Sequence, residues 1–237
     1  MQDAFDKMRV YEELDLLNSL SELINAPDSV IAGGMIRDMQ ILNSWTTDMD
    51  VFAYYTGETY MLDPVLEMWA KSKEEPPYYG DYEPYENFIM LDGKVRKLGI
   101  HDEDYTEYSD NEHIIGVYQF NMQYCHFMGD PAGVDHVHID YEAPLQLILV
   151  NKPTKQVVDN FVVSISQCSV NCNGELYLSD AFKWSQDNKA ITYDPGLRTK
   201  YMSKLLDRYK KWAWIPDTEE FKNLKYNLHK QWTNKCF

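Results

Sequence analysis

Ser29-Val30-Ile31-Ala32-Gly33-Gly34-Met35-Ile36-Arg37-Asp38, followed by Asp48-Met49-Asp50-Val51-Phe52-Ala53-Tyr54-Tyr55, is the stretch whose reading decides the fold. Ser29 to Ala32 is a short β-prone run, and Met35 to Leu42 has helical composition, so Gly33-Gly34 is predicted to form a tight turn opening a helix. Unsatisfied backbone N–H groups at such a helix start form a seat for an anion, most often a phosphate. In a strand, alternate side chains share a face, so Asp48 and Asp50 are expected on one side, about 7 Å apart along the backbone. Two carboxylates so placed repel each other unless a cation lies between them. A hard divalent ion beside a phosphate seat is the layout of phosphoryl or nucleotidyl transfer.

With those residues in place, Gly33-Gly34-x-x-Arg37-Asp38 and the following Asp48-x-Asp50 strand resemble the head motif of the DNA polymerase beta-like nucleotidyltransferase superfamily. Within it, the chain is most similar to the tRNA nucleotidyltransferase and poly(A) polymerase head type, and more loosely to small, often phage-encoded, proteins with this head. The motif spans residues 29 to 55. The resemblance implies an α+β fold, a mixed sheet flanked by helices, and a metal-dependent transfer of a nucleotidyl group from an NTP to an RNA end, a protein or a small-molecule hydroxyl. It casts Asp48 and Asp50 as catalytic residues and ligands of Mg²⁺ or Mn²⁺. The Gly33 and Gly34 amides would hold the β- and γ-phosphates, Arg37 would be the nearest cation for leaving-group charge, and Asp38 would have a positional role within the nucleotide-binding helix.

The resemblance also implies a third carboxylate on a neighbouring strand, in a Phe-Asp-aromatic stretch. The matching stretch here is Asn160-Phe161-Val162-Val163, with Val162 where the carboxylate is expected. Asp159 is the nearest acidic residue and is taken as the substitute metal ligand, with Asp140 as the other candidate. The departure keeps open a catalytically degenerate protein of this fold, acting as a binding or inhibitory module through its acidic surface. A plainer reading of the motif also stands: Gly33-Gly34 as a strand-to-helix turn only, Asp38 as a partner of the helix dipole, and Asp48 as a polar loop residue.

Charge is distributed unevenly. The 237 residues carry 22 Lys and Arg against 38 Asp and Glu, a net of −16, yet Arg198 to Phe237 holds ten basic and four acidic residues. That tail is +6 and the remainder −22, so most of the surface repels a nucleic-acid backbone. Lys200, Lys204, Arg208, Lys210, Lys211, Lys222 and Lys225 make either one basic patch for a phosphate-bearing partner such as an acceptor RNA, or a solvated helix face. No run of 18 or more apolar residues exists, which excludes a membrane-spanning helix and argues against a membrane partner. The N-terminus lacks the basic and apolar regions of a secretory signal, so the expected address is the cytoplasm, that of the host if the protein is viral. Cys125, Cys168, Cys172 and Cys236 form no disulfide framework or paired zinc motif and are expected to be reduced thiols. His136 and His138 share a strand face with Asp140, read as an exposed polar face in preference to a metal site.

Periodicity predicts helices over Val10 to Ile24, Leu62 to Lys73, Tyr201 to Trp212 and Thr218 to Trp232. Strands are expected at His113 to Gln123, Val137 to Tyr141, Leu145 to Val150 and Asn160 to Cys168. Residues 76–112, rich in Tyr, Asp, Glu, Pro and Gly, read as a long acidic insertion with little regular structure. These elements divide the chain into a nucleotidyltransferase-like domain over 1–176 and a helical C-terminal region over 177–237.

Overall fold

The computed structural model describes residues 10–44, 48–76, 87–99, 112–129, 135–196 and 199–218. Its elements in chain order are α1 (Val10–Leu23), β1 (Ser29–Ala32), α2 (Gly34–Leu42), β2 (Met49–Tyr54), α3 (Leu62–Ser72), β3 (Asn87–Leu91) and β4 (Arg96–Lys97). The long β5 (Ile114–Gly129) and β6 (Asp135–Val150) follow, then α4 (Thr154–Asp159), β7 (Cys168–Asn171) and β8 (Leu176–Leu178). The chain continues through α5 (Asp180–Asn188), β9 (Ala190–Tyr193), α6 (Thr199–Arg208) and β10 (Ala213–Pro216).

Eight strands form one mixed sheet in the order β3-β5-β6-β2-β1-β7-β8, with β4 also paired to β5. β1 runs antiparallel to both β2 and β7, while β2 runs parallel to β6. β9 and β10 form a separate parallel pair. The fold class is the expected one: a large mixed sheet flanked by helices.

Alternation along β2 assigns the two faces of the sheet. Met49, Val51 and Ala53 enter the main core, which α1 supplies with Leu16, Leu17 and Leu20, α2 with Met35, Ile36 and Met39, and α3 with Leu62, Leu66 and Trp69. Phe182, Leu205 and Tyr209 reach that same core from the C-terminal segment. Phe52 points to the opposite face, where Val30, Val117, Ile148 and Val150 meet Val157 and Val158 of α4. Asp28 fastens α4 there: its carboxylate accepts from the Thr154 N–H at 2.9 Å and from the Thr154 hydroxyl at 2.5 Å, taking up a helix-start donor from outside the helix.

Several predicted elements change. The acidic insertion contains β3 and β4, both paired with β5; residues 77–86 and 100–111 lie outside the described residues. The predicted strands at 137–141 and 145–150 are one continuous strand, β6, and β5 runs on to Gly129. Asn160 to Cys168 is not a strand: a turn and a short 3-10 segment, Ser164–Ser166, connect α4 to β7. Tertiary burial decides this, because Val163 and Ile165 reach the core from irregular backbone. Between 177 and 216 the chain carries strands as well as helices, and the predicted helix over 218–232 lies almost wholly outside the described residues.

Candidate active site

The turn between β1 and α2 is set by Gly33. Its φ of 78° and ψ of −124° suit only glycine, and its backbone is engaged on both sides. The Gly33 N–H donates to the Cys168 carbonyl at 3.2 Å, and its carbonyl accepts from the Arg37 N–H at 2.9 Å. The Gly33 amide expected to face a phosphate is therefore used to join the turn to β7. The amides of Gly34, Met35 and Ile36, which precede the first intrahelical bond, form the positive end of α2.

Asp50 faces this turn. A Cβ placed on Gly33 would lie 3.9 Å from Asp50 Oδ2 and 3.9 Å from the Phe161 ring, so the missing side chain leaves a small cradle beside the carboxylate. Asp50 shares the sheet face of Phe52 and is half-buried, whereas Asp48, just before β2, is exposed. Hard carboxylate oxygens bordering such a cradle suit a hard divalent cation such as Mg²⁺ or Mn²⁺.

Arg37 and Asp38 belong to the interior. Arg37 is only 4% exposed, and its Nε donates to Asp38 Oδ1 at 2.7 Å and to the Tyr209 hydroxyl at 3.2 Å. Its Nη1 donates to Ser166 Oγ at 3.2 Å, and Nη2 lies 3.7 Å from the Cβ position of Gly34, beneath the turn. Asp38, 1% exposed, also accepts from the Tyr209 hydroxyl at 2.6 Å and from Arg208 Nη1. Burial raises the Tyr209 phenol above its ordinary range, Arg37 opposes and the bond to Asp38 adds to the rise, so it stays a protonated donor. The contacts of Asp38 tie α2 to the end of α6. Arg208, counted with the basic tail, is committed here, while Lys204, Lys210 and Lys211 are exposed; Lys222 and Lys225 lie outside the described residues.

Asp159 closes α4 and is held elsewhere, accepting from Lys155 Nζ at 2.8 Å and from the Tyr177 hydroxyl. Lys155 Nζ also donates to the Tyr177 hydroxyl at 2.9 Å, and its bonds to Asp159, the larger influence, and to Tyr177 raise the Lys155 ammonium above its usual range. Asp159 lines a polar depression of about 420 Å³ with Lys155, Tyr177, Ser179 and Lys183. On the β-hairpin, the Asp140 carboxylate lies 3.0 Å from His126 Nδ1, and the His126 and His138 rings are 5.0 Å apart. Among the described residues, no three His, Cys, Asp or Glu side chains converge as a metal site. The three carboxylates Asp48, Asp50 and Asp159 are thus not gathered into one cluster.

Sequence reading missed what stands beside Asp50. In the register of β2 and β6, Asp50 pairs with Gln146; Gln146 in turn pairs with Gln119 of β5, and Gln119 with Arg96 of β4. Paired residues share a face about 4.8 Å apart between strands, so a row of two amides and a guanidinium leads away from Asp50. The Gln119 side-chain oxygen is buried with no hydrogen-bond partner among the described residues. Only strand pairing brings these residues together. The apolar runs that flank Gln146, in contrast, are visible in the sequence.

No protein-family model and no curated protein matches this sequence. Among solved structures, the chain is similar to a Thermotoga maritima CCA-adding enzyme complexed with tRNA, at 14% identity and a TM-score of 0.46, covering 96% of this chain and 44% of that one. A CCA-adding enzyme with CTP gives 12% identity and a TM-score of 0.46 over 96% of this chain and 44% of the other. A CCA-adding enzyme with ATP gives 11% and 0.41 over 77% and 33%. The chain spans less than half the length of these enzymes. At this level of similarity, neither family membership nor activity passes to this chain.

Proposed function

We propose that the protein is a metal-dependent nucleotidyltransferase that moves a nucleotidyl group from an NTP to an acceptor hydroxyl on an RNA end, a protein or a small molecule. One observation carries the reading: the Asp50 carboxylate abuts the Gly33 cradle at the positive end of α2. A carboxylate that can ligate a cation thereby borders amides that can hold a phosphate.

The amides of Gly34, Met35 and Ile36 orient the triphosphate, and Gly33 shapes the turn that presents them. Asp48 and Asp50 would hold Mg²⁺ or Mn²⁺, which when bound offsets phosphate charge and orients the transferred group. Arg37 adds positive potential from beneath the turn without leaving the interior. Asp38, Arg208 and Tyr209 fix Arg37 and the pitch of α2. The exposed Lys204, Lys210 and Lys211 offer an acceptor RNA its phosphate contacts.

Incubation with each α-labelled NTP and Mg²⁺ or Mn²⁺, with host RNA and protein as acceptors, tests the reading. Label in a discrete product that disappears in the Asp48→Ala/Asp50→Ala double variant supports it; transfer unaffected by that change overturns the site. A second reading is a catalytically degenerate relative of such enzymes that binds a partner through its acidic surface. The absence of a third clustered carboxylate among the described residues favours it. Under that reading no nucleotide label is transferred, and the double variant still binds its partner.

A further inference from the structure

Resting on the nucleotidyltransferase reading, we infer that Arg208 is a positioning residue for an RNA acceptor: with Lys204 it takes backbone phosphates on one flank of α6 and ties them, through Asp38, to the diglycine turn. The charges at Asp38 carry the inference. Two guanidiniums share this one buried carboxylate, Arg37 through Nε on Oδ1 at 2.7 Å and Arg208 through Nη1 on Oδ2. Arg37 is enclosed with Asp38, so the surplus positive charge of the trio reaches the surface at Arg208, whose side chain is 41% exposed. A guanidinium has five N–H donors in a rigid fork, and engaging one of them with Asp38 leaves others for a second anion. An arginine anchored in this way is pre-organised, so ordering it on a phosphate costs less than ordering a loose side chain.

The helix sets a second cation beside it. Lys200, Lys204 and Arg208 recur at every fourth residue of α6, and Lys204 and Arg208 each precede a residue of the buried face, Leu205 and Tyr209. Exposed Lys204 and Arg208 therefore share one flank next to the packed face, about 6 Å apart along the axis. The bond to Asp38 shows that this flank looks toward α2. Asp207 lies on its outer side, one turn after Lys204. Over residues 199–218, five basic residues stand against Asp207 and Asp217, so this segment attracts a polyanion that most of a chain of net charge −16 repels. Single charges repeated along a line match the evenly spaced phosphates of an extended strand.

The contact reaches the candidate site through two side chains. Asp38 Oδ1 also accepts from the Tyr209 hydroxyl at 2.6 Å, while Arg37 donates to Ser166 Oγ at 3.2 Å and places Nη2 3.7 Å from the Cβ position of Gly34. A strand seated on Lys204 and Arg208 is thus registered against the turn that takes the triphosphate, which fixes the approach of its terminal hydroxyl. Arg208 touches the backbone of the acceptor and none of the reacting atoms.

The test is binding of a fluorescein-labelled single-stranded RNA to the full chain, measured by fluorescence anisotropy over a series of KCl concentrations, in parallel with label transfer from each NTP. The expected wild-type result is binding that weakens as salt rises. Arg208→Gln should weaken binding about 10-fold at low salt and reduce the slope of log Kd against log salt by about 0.7, the share of one phosphate contact on a single strand. Lys204→Gln should reduce the slope equally, and Asp207→Asn should tighten binding. Arg208→Lys should restore the slope but not the affinity, because the charge is kept and the anchored fork is lost. In transfer, Arg208→Gln should raise KM for the RNA by more than KM for the NTP. If Arg208 only holds α6 on α2, its loss lowers the melting temperature and leaves the salt slope unmoved; that result, or an unmoved slope in Lys204→Gln, overturns the inference. A wild type that binds no RNA, or that binds poly-glutamate as tightly as RNA, overturns it too, and transfer to a protein or small molecule would then leave the nucleotidyltransferase reading intact. RNA binding with the expected slopes but no transferred label keeps the RNA surface and overturns that reading. Should Arg208→Gln fail to fold, Lys204→Gln and Asp207→Asn decide the inference.

Discussion

The Tyr209 hydroxyl donates to Asp38 Oδ1 at 2.6 Å across 171 residues of sequence, joining the end of α6 to the helix that starts at the diglycine turn. Arg37 Nε reaches the same carboxylate oxygen and the same hydroxyl, so one buried triad couples the C-terminal segment to the geometry of the candidate site. Tyr209→Phe removes a donor from a buried charged acceptor while keeping the ring. It should cost about 1–3 kcal/mol, read as a lower urea midpoint at unchanged slope.

Asp38→Ala should be worse, because it strands Arg37, 4% exposed, without its carboxylate. Removing one partner of a buried ion pair costs about 3–5 kcal/mol. Arg208 is 41% exposed at its side chain, so Arg208→Gln should cost no more than about 1 kcal/mol. Denaturation of the two variants side by side checks the order; a larger loss for Arg208→Gln would contradict the burial argument.

Gly33→Ala and Gly34→Ala separate backbone from space. Neither new methyl group meets an atom closer than 3.7 Å, yet only Gly33 has a positive φ, of 78°. Gly33→Ala should lose about 1–3 kcal/mol through strain alone. Gly34→Ala, at the first position of α2, should leave stability within about 1 kcal/mol or raise it. Thermal unfolding distinguishes them.

Asp63 gives a test in acid. The Tyr118 hydroxyl and then Lys97 hold its carboxyl below its ordinary value of 3.8, so the folded state binds this proton less readily than the unfolded one. Its contribution is fully present above the unfolded value and is lost as pH falls through the lower folded one. Asp63→Asn should flatten the stability profile in that acid window and leave the slope near neutrality unchanged, measured by melting temperature against pH.

The cysteines test packing from another side. Burial, helped by Asp140, pushes the Cys125 thiol up to about 11, and burial raises the fully enclosed Cys168 thiol as well, with Arg37 opposing and Asp38 adding to the rise. Both should resist alkylation at pH 8 in the native protein and react on unfolding, with Cys172, half-buried, reacting first of the three. Mass mapping of labelled peptides over time provides the check.

The β1-turn-α2 unit and β2 were legible because their signals are local: a β-prone run, two glycines, then alternation through Met49, Val51 and Ala53. β3 was hidden because Asn87 to Leu91 is a short apolar run inside an acidic, Tyr-rich stretch, and its strand character comes from pairing with β5. The segment after Asn160 misled for the opposite reason. Phe161, Val162 and Val163 favour a strand locally, but α4 ends immediately before them and the chain turns to bring Val163 and Ile165 inward. At the site, Asp50 beside Gly33 was readable from spacing. Ser166, Arg208 and Tyr209 were not tied to Arg37 and Asp38 by any local pattern, although Leu205 and Tyr209, four apart and both buried, mark the inward face of α6. Gln146 and Gln119 needed the strand order, which alternation alone does not provide.

Nucleotidyl transfer at Asp50 remains the claim on which the rest depends, and its most direct test uses the least disruptive change. The measurement is incorporation of α-labelled NTP in the presence of Mn²⁺ by the wild type and by Asp50→Asn, an isosteric substitution, after both are shown to have the same melting temperature. The expected result is a labelled product whose rate of formation falls by at least about 100-fold in the variant, at or beyond the loss caused by altering residues that merely orient a metal ligand. Equal rates in the two proteins, or no labelled product from the wild type with any of the four nucleotides, would contradict the account.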